Sequence, residues 1–98
     1  MIKVKVKDKH IEIKGHALFK ESGKDIVCAS VSSIVITSVN AILKFDAKAI
    51  DYEEKDGYIR IDVLHETNEV KTIITNMLEL LKELEKDYSK NVKIYEEV

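Results

Sequence analysis

Proline is absent from the 98 residues, glycine occurs three times and cysteine once. A chain with so few obligatory breaks is expected to use each of Gly15, Gly23 and Gly57 in a turn or loop. The single thiol, Cys28, excludes an intrachain disulfide and suits a reducing, cytoplasmic setting. An excess of one charge is lacking too, since 16 Lys and Arg against 18 Asp and Glu leave −2. No general pull toward RNA, DNA or anionic lipid follows from that balance, so neither direct nucleic-acid binding nor membrane association is expected. The N-terminus alternates Ile2, Val4 and Val6 with lysines and has no continuous apolar stretch, so it does not read as a signal peptide.

What is present describes a globular protein, with 45% hydrophobic and 35% charged residues. This length suits a single domain, residues 1–98, around one core. The interval Ile26 to Leu43 has no charged side chain and approaches a membrane span in length. It also holds Ser30, Ser32, Ser33, Thr37, Ser38 and Asn40, too many polar groups for a lone span in lipid, and the expectation is a buried helix.

Period-two alternation predicts a strand over Ile2 to Val6, a turn at Asp8-Lys9, and a second strand through Ile11 and Ile13 that ends at Gly15. Residues 15–24 lack periodicity and read as a loop. Asp25 is a good N-cap, and Val27, Val31, Ile34, Val35, Ser38 and Ile42 recur at helical spacing to about Lys44. Many of these are β-branched, so packing must hold this helix. Ala49 to Glu54 and Tyr58 to Leu64 flank Lys55-Asp56-Gly57, a hairpin in which both Asp and Gly tolerate positive φ. Val70, Ile73, Ile74, Met77, Leu78, Leu81, Leu84 and Tyr88 form the apolar stripe of a second helix, capped by Thr67 or Asn68. Val92 and Ile94 make a final short strand. The predicted fold is α+β: about five strands and two helices packed on one face, in the order strand-strand-helix-strand-strand-helix-strand.

The chemistry concentrates in Gly15-His16-Ala17 and in Asp25-Ile26-Val27-Cys28-Ala29-Ser30-Val31-Ser32. With Asp25 as cap, Cys28 falls in the first helical turn. There the N–H groups and the helix dipole favour a thiolate, and the same N–H groups can bind the oxyanion formed when sulfur attacks a carbonyl. His16, at a strand end, can face the helix start and move the protons. Ser32 lies four residues beyond Cys28 on the same helical face and can orient the site or bond the imidazole. A Cys28–His16 dyad fits these positions. Spacing alone does not select it, because a lone Cys in a small domain is more often a buried apolar residue.

Those two blocks, with Ser38-Val39-Asn40-Ala41-Ile42 further on, closely resemble the bacterial ribosomal-processing cysteine protease family, whose element order also matches over essentially the whole chain. The resemblance implies a cysteine endopeptidase with Cys28 as nucleophile and His16 as base. It makes Asp25 and Ser32 supporting candidates. It implies as substrate the precursor of large-subunit ribosomal protein twenty-seven, from which an N-terminal extension is removed. It further implies a homodimer and a mobile loop, here Leu18 to Lys24, with Gly23 as its hinge. No cofactor is expected. Two rivals stand beside this reading: a non-enzymatic ribosome-assembly module that binds a peptide in the same cleft, and a redox-sensing thiol, which lacks a resolving Cys.

The remaining polar residues have simpler readings. His10 at a turn and His65 at a strand end are read as solvated, and one Cys with three scattered His gives no zinc spacing. Glu79, Lys82, Glu83, Glu85 and Lys86 are read as a solvated helix face aided by charge pairs. Met77 is read as core. The tyrosines, without a basic patch, are not read as a stacking platform.

Overall fold

The structure is a computed structural model and describes residues 1–15 and 26–97. Its elements are β1 (Ile2–Lys7), β2 (His10–Lys14), α1 (Ile26–Phe45), β3 (Ile50–Lys55), β4 (Tyr58–Val63), α2 (Asn68–Asp87) and β5 (Val92–Glu97). The strands form one five-stranded sheet in the order β3-β4-β2-β1-β5, and both helices cover one face of it. Every strand and helix expected from the sequence is present, in the expected order, and the expected loop Leu18 to Lys24 lies outside the described residues.

Alternation decides which face is covered. Ile2 and Val4 of β1, Ile11 and Ile13 of β2, Ile59 and Ile61 of β4 and Val92 of β5 are all buried toward the helices. Their odd-numbered or even-numbered neighbours, mostly Lys, Glu and Asp, stand on the open face. Burying one such Ile or Val contributes roughly 1.5–3 kcal/mol. A one-residue slip would exchange the two sets, so the register is strongly specified.

Two tight turns set that register. Lys7 pairs with His10 across Asp8-Lys9, and Asp8 takes the left-handed conformation, φ 53°, which Asp tolerates better than most residues. Lys55 pairs with Tyr58 across Asp56-Gly57. The expected hairpin is present, with Gly57 at positive φ, 69°, and Asp56 not.

Helix α1 is buried along Val27, Val31, Val35, Ser38, Val39 and Ile42, whereas Ile26, Ile36 and Phe45 on its other side are exposed. The uncharged run is thus a helix packed along one stripe rather than buried all round. Its one buried polar side chain, Ser38, donates to the Ile34 carbonyl at 2.8 Å. Helix α2 buries Val70, Met77 and Leu81, and the Thr67 hydroxyl caps it by accepting from the Val70 N–H at 3.2 Å.

Two polar readings need correction. Glu85 is not a purely solvated side chain, since its carboxylate accepts the Ile94 N–H at 2.8 Å and occupies part of the free edge of β5. Lys82 reaches Glu96 on β5 at 2.5 Å, so the α2 charges pair with the sheet edge rather than along the helix, among the described residues. His10 begins β2 rather than sitting in the turn, and its Nδ1 lies 2.5 Å from Asp62.

Candidate active site

The positions of Cys28 and Gly15 follow from how their elements end. Cys28 is the third residue of α1, inside the first turn, where a helix presents the positive end of its dipole. The β-branched residues around it, Val27 and Val31, are buried against the sheet and fix the helix there, leaving Cys28 half-buried. Cys28 forms no disulfide.

Gly15 closes β2 with φ +99°, a conformation that L side chains avoid. A Cβ at this position would lie 2.3 Å from the Met1 carbonyl oxygen, so no other residue fits without moving the backbone. The Gly15 N–H donates to the Gly57 carbonyl at 2.9 Å, which ties the end of β2 to the β3–β4 turn. The end of β2 is therefore fixed at Gly15.

Cys28, Ser32 and Gly15 line one cleft of about 540 Å³. Its floor is apolar, from Ile2, Ile13, Val31 and Ile59. The β3–β4 hairpin makes the opposite wall through Glu54, Lys55, Asp56 and Gly57. The Tyr52 hydroxyl donates to Glu54 at 3.1 Å, and burial, followed by that hydrogen bond and then the Glu54 charge, pushes the Tyr52 phenol up to about 12. A larger groove, about 660 Å³, lies between the two helices and is lined by neither Cys28 nor Ser32.

Of the residues singled out in the sequence, the structure brings Cys28 and Ser32 to one cleft together with the backbone of Gly15. His16, Gly23 and Asp25 lie outside the described residues. The hairpin wall is what sequence reasoning missed. It read Lys55-Asp56-Gly57 only as a turn, and nothing in a linear pattern signals that this turn faces a helix start almost thirty residues earlier.

A thiol at the positive end of a helix, in an open cleft with an apolar floor, is an arrangement suited to attack on a carbonyl. Comparison with known proteins agrees. The model of the family described as cysteine protease Prp matches residues 1–93. This chain belongs to that family. The ribosomal processing cysteine protease Prp of Staphylococcus aureus is 35% identical over 83 residues, covering 82% of this chain and 78% of the relative. The crystal structure of the S. aureus ribosomal processing protease Prp with a covalently linked product peptide superposes with a TM-score of 0.93 at 30% identity, covering 99% of this chain and all of that one. The same S. aureus protease with a substrate peptide gives 0.87 at 29% identity over 99% of this chain. The chain is a cysteine peptidase with the five-stranded fold of that family.

Proposed function

We propose that this peptidase uses Cys28 as nucleophile and His16 as general base and acid. The single observation that carries the reading is that Cys28 lines the same cleft as Gly15, the residue directly before His16. His16 removes the thiol proton, and the sulfur attacks the scissile carbonyl. The positive end of α1 lowers the energy of the thiolate and of the oxyanion that replaces it. Collapse of the tetrahedral intermediate breaks the C–N bond, and His16 returns its proton to the leaving amine. Water then attacks the thioester, with His16 taking its proton, and releases the carboxylate product and the free thiol. The covalently linked product peptide in the S. aureus relative supports a covalent route. Ser32 is a positioning residue on the same helical face, and Asp25 is a further supporting residue.

The substrate is the precursor of large-subunit ribosomal protein twenty-seven, and the bond cut joins its N-terminal extension to the mature chain. The extension forms the acyl half and the mature protein is the leaving amine. Support comes from the family and from the ribosomal processing role of its S. aureus member. One catalytic domain spans the chain, acts in the cytoplasm and works as a homodimer, with Gly23 as the hinge of the segment between His16 and Cys28.

The test is cleavage of an extended precursor by the Cys28→Ala and His16→Ala variants, each verified as folded by circular dichroism. Each should lose at least about a thousandfold in rate, since a covalent mechanism loses both its steps. Normal cleavage by folded Cys28→Ala would overturn the mechanism, and normal cleavage by His16→Ala would remove the base. An inert ribosomal precursor beside an active generic peptide would overturn only the substrate.

A further inference from the structure

The open face of the sheet separates its charges by strand, which the net charge conceals. On the β3–β4 side, Arg60 is surrounded by Asp51 at 3.0 Å, Glu53 at 3.5 Å and Asp62. On the β1–β5 side lysines gather instead. Lys3 stands directly beside Lys14 of β2 and directly beside Lys93 of β5, a row of three across adjacent strands. Strands lie about 4.8 Å apart, so the three stems rise within about 10 Å. Lys5 and Lys7 extend the patch along β1 at a repeat of about 6.6 Å, comparable to successive phosphates of an extended nucleic-acid strand.

Counter-charges are few here. Lys7 pairs with Glu97 at 3.8 Å and Lys14 with Glu12 at 3.2 Å. Lys3, Lys5 and Lys93 join no ion pair among the described residues. Like charges directly opposite one another destabilise a sheet, so the row costs stability that a bound polyanion would offset. Lys3, Lys5 and Lys14 also line a concavity of about 310 Å³ whose only acid among the described residues is Glu12, the cross-strand neighbour of Lys5. Tyr95, 43% exposed, stands beside Lys5 on the same face and offers a ring for stacking.

We propose that this face binds RNA, with Lys3, Lys5, Lys14 and Lys93 contacting phosphates and Tyr95 stacking on a base. The repeated cation spacing and the single aromatic fit a strand of phosphates and bases. Among the described residues the patch has no apolar centre of the kind that a folded protein partner needs, and no apolar wedge for a lipid surface. The proposal stands apart from the peptidase reading, since Cys28 does not enter it and the two concavities share only Gly15 among the described residues.

The experiment is fluorescence anisotropy of a short labelled single-stranded RNA of mixed sequence, titrated with the full chain across a salt series. Log affinity should fall linearly with log salt at a slope of about −2 to −3, about 0.7 per phosphate neutralised. Combined Lys3→Gln, Lys5→Gln and Lys93→Gln, which keeps the stems, should weaken binding at least about tenfold and flatten the slope by about 2. Tyr95→Ala should weaken binding by about fivefold or more with the slope unchanged. Lys44→Gln, Lys71→Gln and Lys86→Gln on the helices change net charge equally and should bind as the parent does. Both triple variants should cleave a free peptide normally, which verifies the fold. No binding at low salt, or equal loss in the helix triple, would overturn the proposal. Tighter binding to polyglutamate or to phosphatidylserine vesicles than to RNA, lost in the sheet triple, would reassign the face to an acidic protein or a membrane.

Discussion

Helices α1 and α2 each run for 20 residues over the same sheet face, yet they are held in opposite ways. In α2 the stabilising features are local. Thr67 caps it, Glu69 sits in the first turn, Lys86 in the last, and its apolar residues follow one stripe. In α1 Ile26, Val27, Val31, Ile34, Val35, Ile36, Thr37, Val39 and Ile42 are all β-branched, and no acidic residue lies in its first turn. Such a segment loses side-chain freedom on becoming helical and depends on burial against the sheet. The difference places Cys28, the nucleophile we propose, on the helix that depends more on packing. Activity should therefore track the packing of α1, while α2 and its attachments tune stability at a distance from the cleft.

The strongest test of that contrast is Ile42→Ala. Ile42 is fully buried and stands fourteen residues beyond Cys28, about 21 Å along the helix axis. Removing its side chain leaves a cavity beneath α1 and should cost about 2–5 kcal/mol. The measurement is a lower urea midpoint with unchanged slope, accompanied by loss of cleavage in proportion to the unfolded fraction. Leu81→Ala in α2 should cost a similar amount. If Ile42→Ala left stability within about half a kcal/mol, packing would not be what holds α1.

Thr67→Ala probes the other side of the comparison and should be milder, about 1 kcal/mol. The hydroxyl at 3.2 Å from the Val70 N–H is lost and the first turn of α2 frays. Asn or Asp at the same position should restore the parent stability, since both accept the same bond. An unchanged thermal midpoint for Thr67→Ala would mean that α2, like α1, is held by its buried stripe alone.

Local physics was readable from the sequence where it acts over a few residues. The stripe and cap of α2, the alternation of β1 and β4, and the break at Gly57 all lie within a turn or two, and each appears where the pattern put it. The placement of Cys28 in the first turn of a helix and of Gly15 at a strand end was readable for the same reason. Pairing between distant strands was not. That β5 lies parallel to β1 is a tertiary outcome, and it alone sets Lys93 beside Lys3 and Tyr95 beside Lys5. His10 looked like a turn residue until β2 and β4 paired it with Asp62. That contact holds the Asp62 carboxyl below its usual range, chiefly through the His10 hydrogen bond. The hairpin wall of the cleft is a third such case, since its closeness to Cys28 comes only from the placement of α1 over β2 and β4.

The smallest effect separates the two polar ties between α2 and β5. Lys82 and Glu96 are each about half exposed, so Lys82→Ala should cost no more than about 0.5 kcal/mol and nothing in high salt. Glu85→Ala should cost more, about 1 kcal/mol, because it strips an acceptor from the Ile94 N–H at the sheet edge and leaves a partly buried donor unpaired. Salt should not erase that second loss, since a hydrogen bond at 2.8 Å is screened far less than an exposed ion pair. Urea melts of both variants at low and high salt give the comparison directly. Equal, salt-sensitive losses would mean that Glu85 acts only as surface charge, and the edge of β5 would then owe nothing to α2.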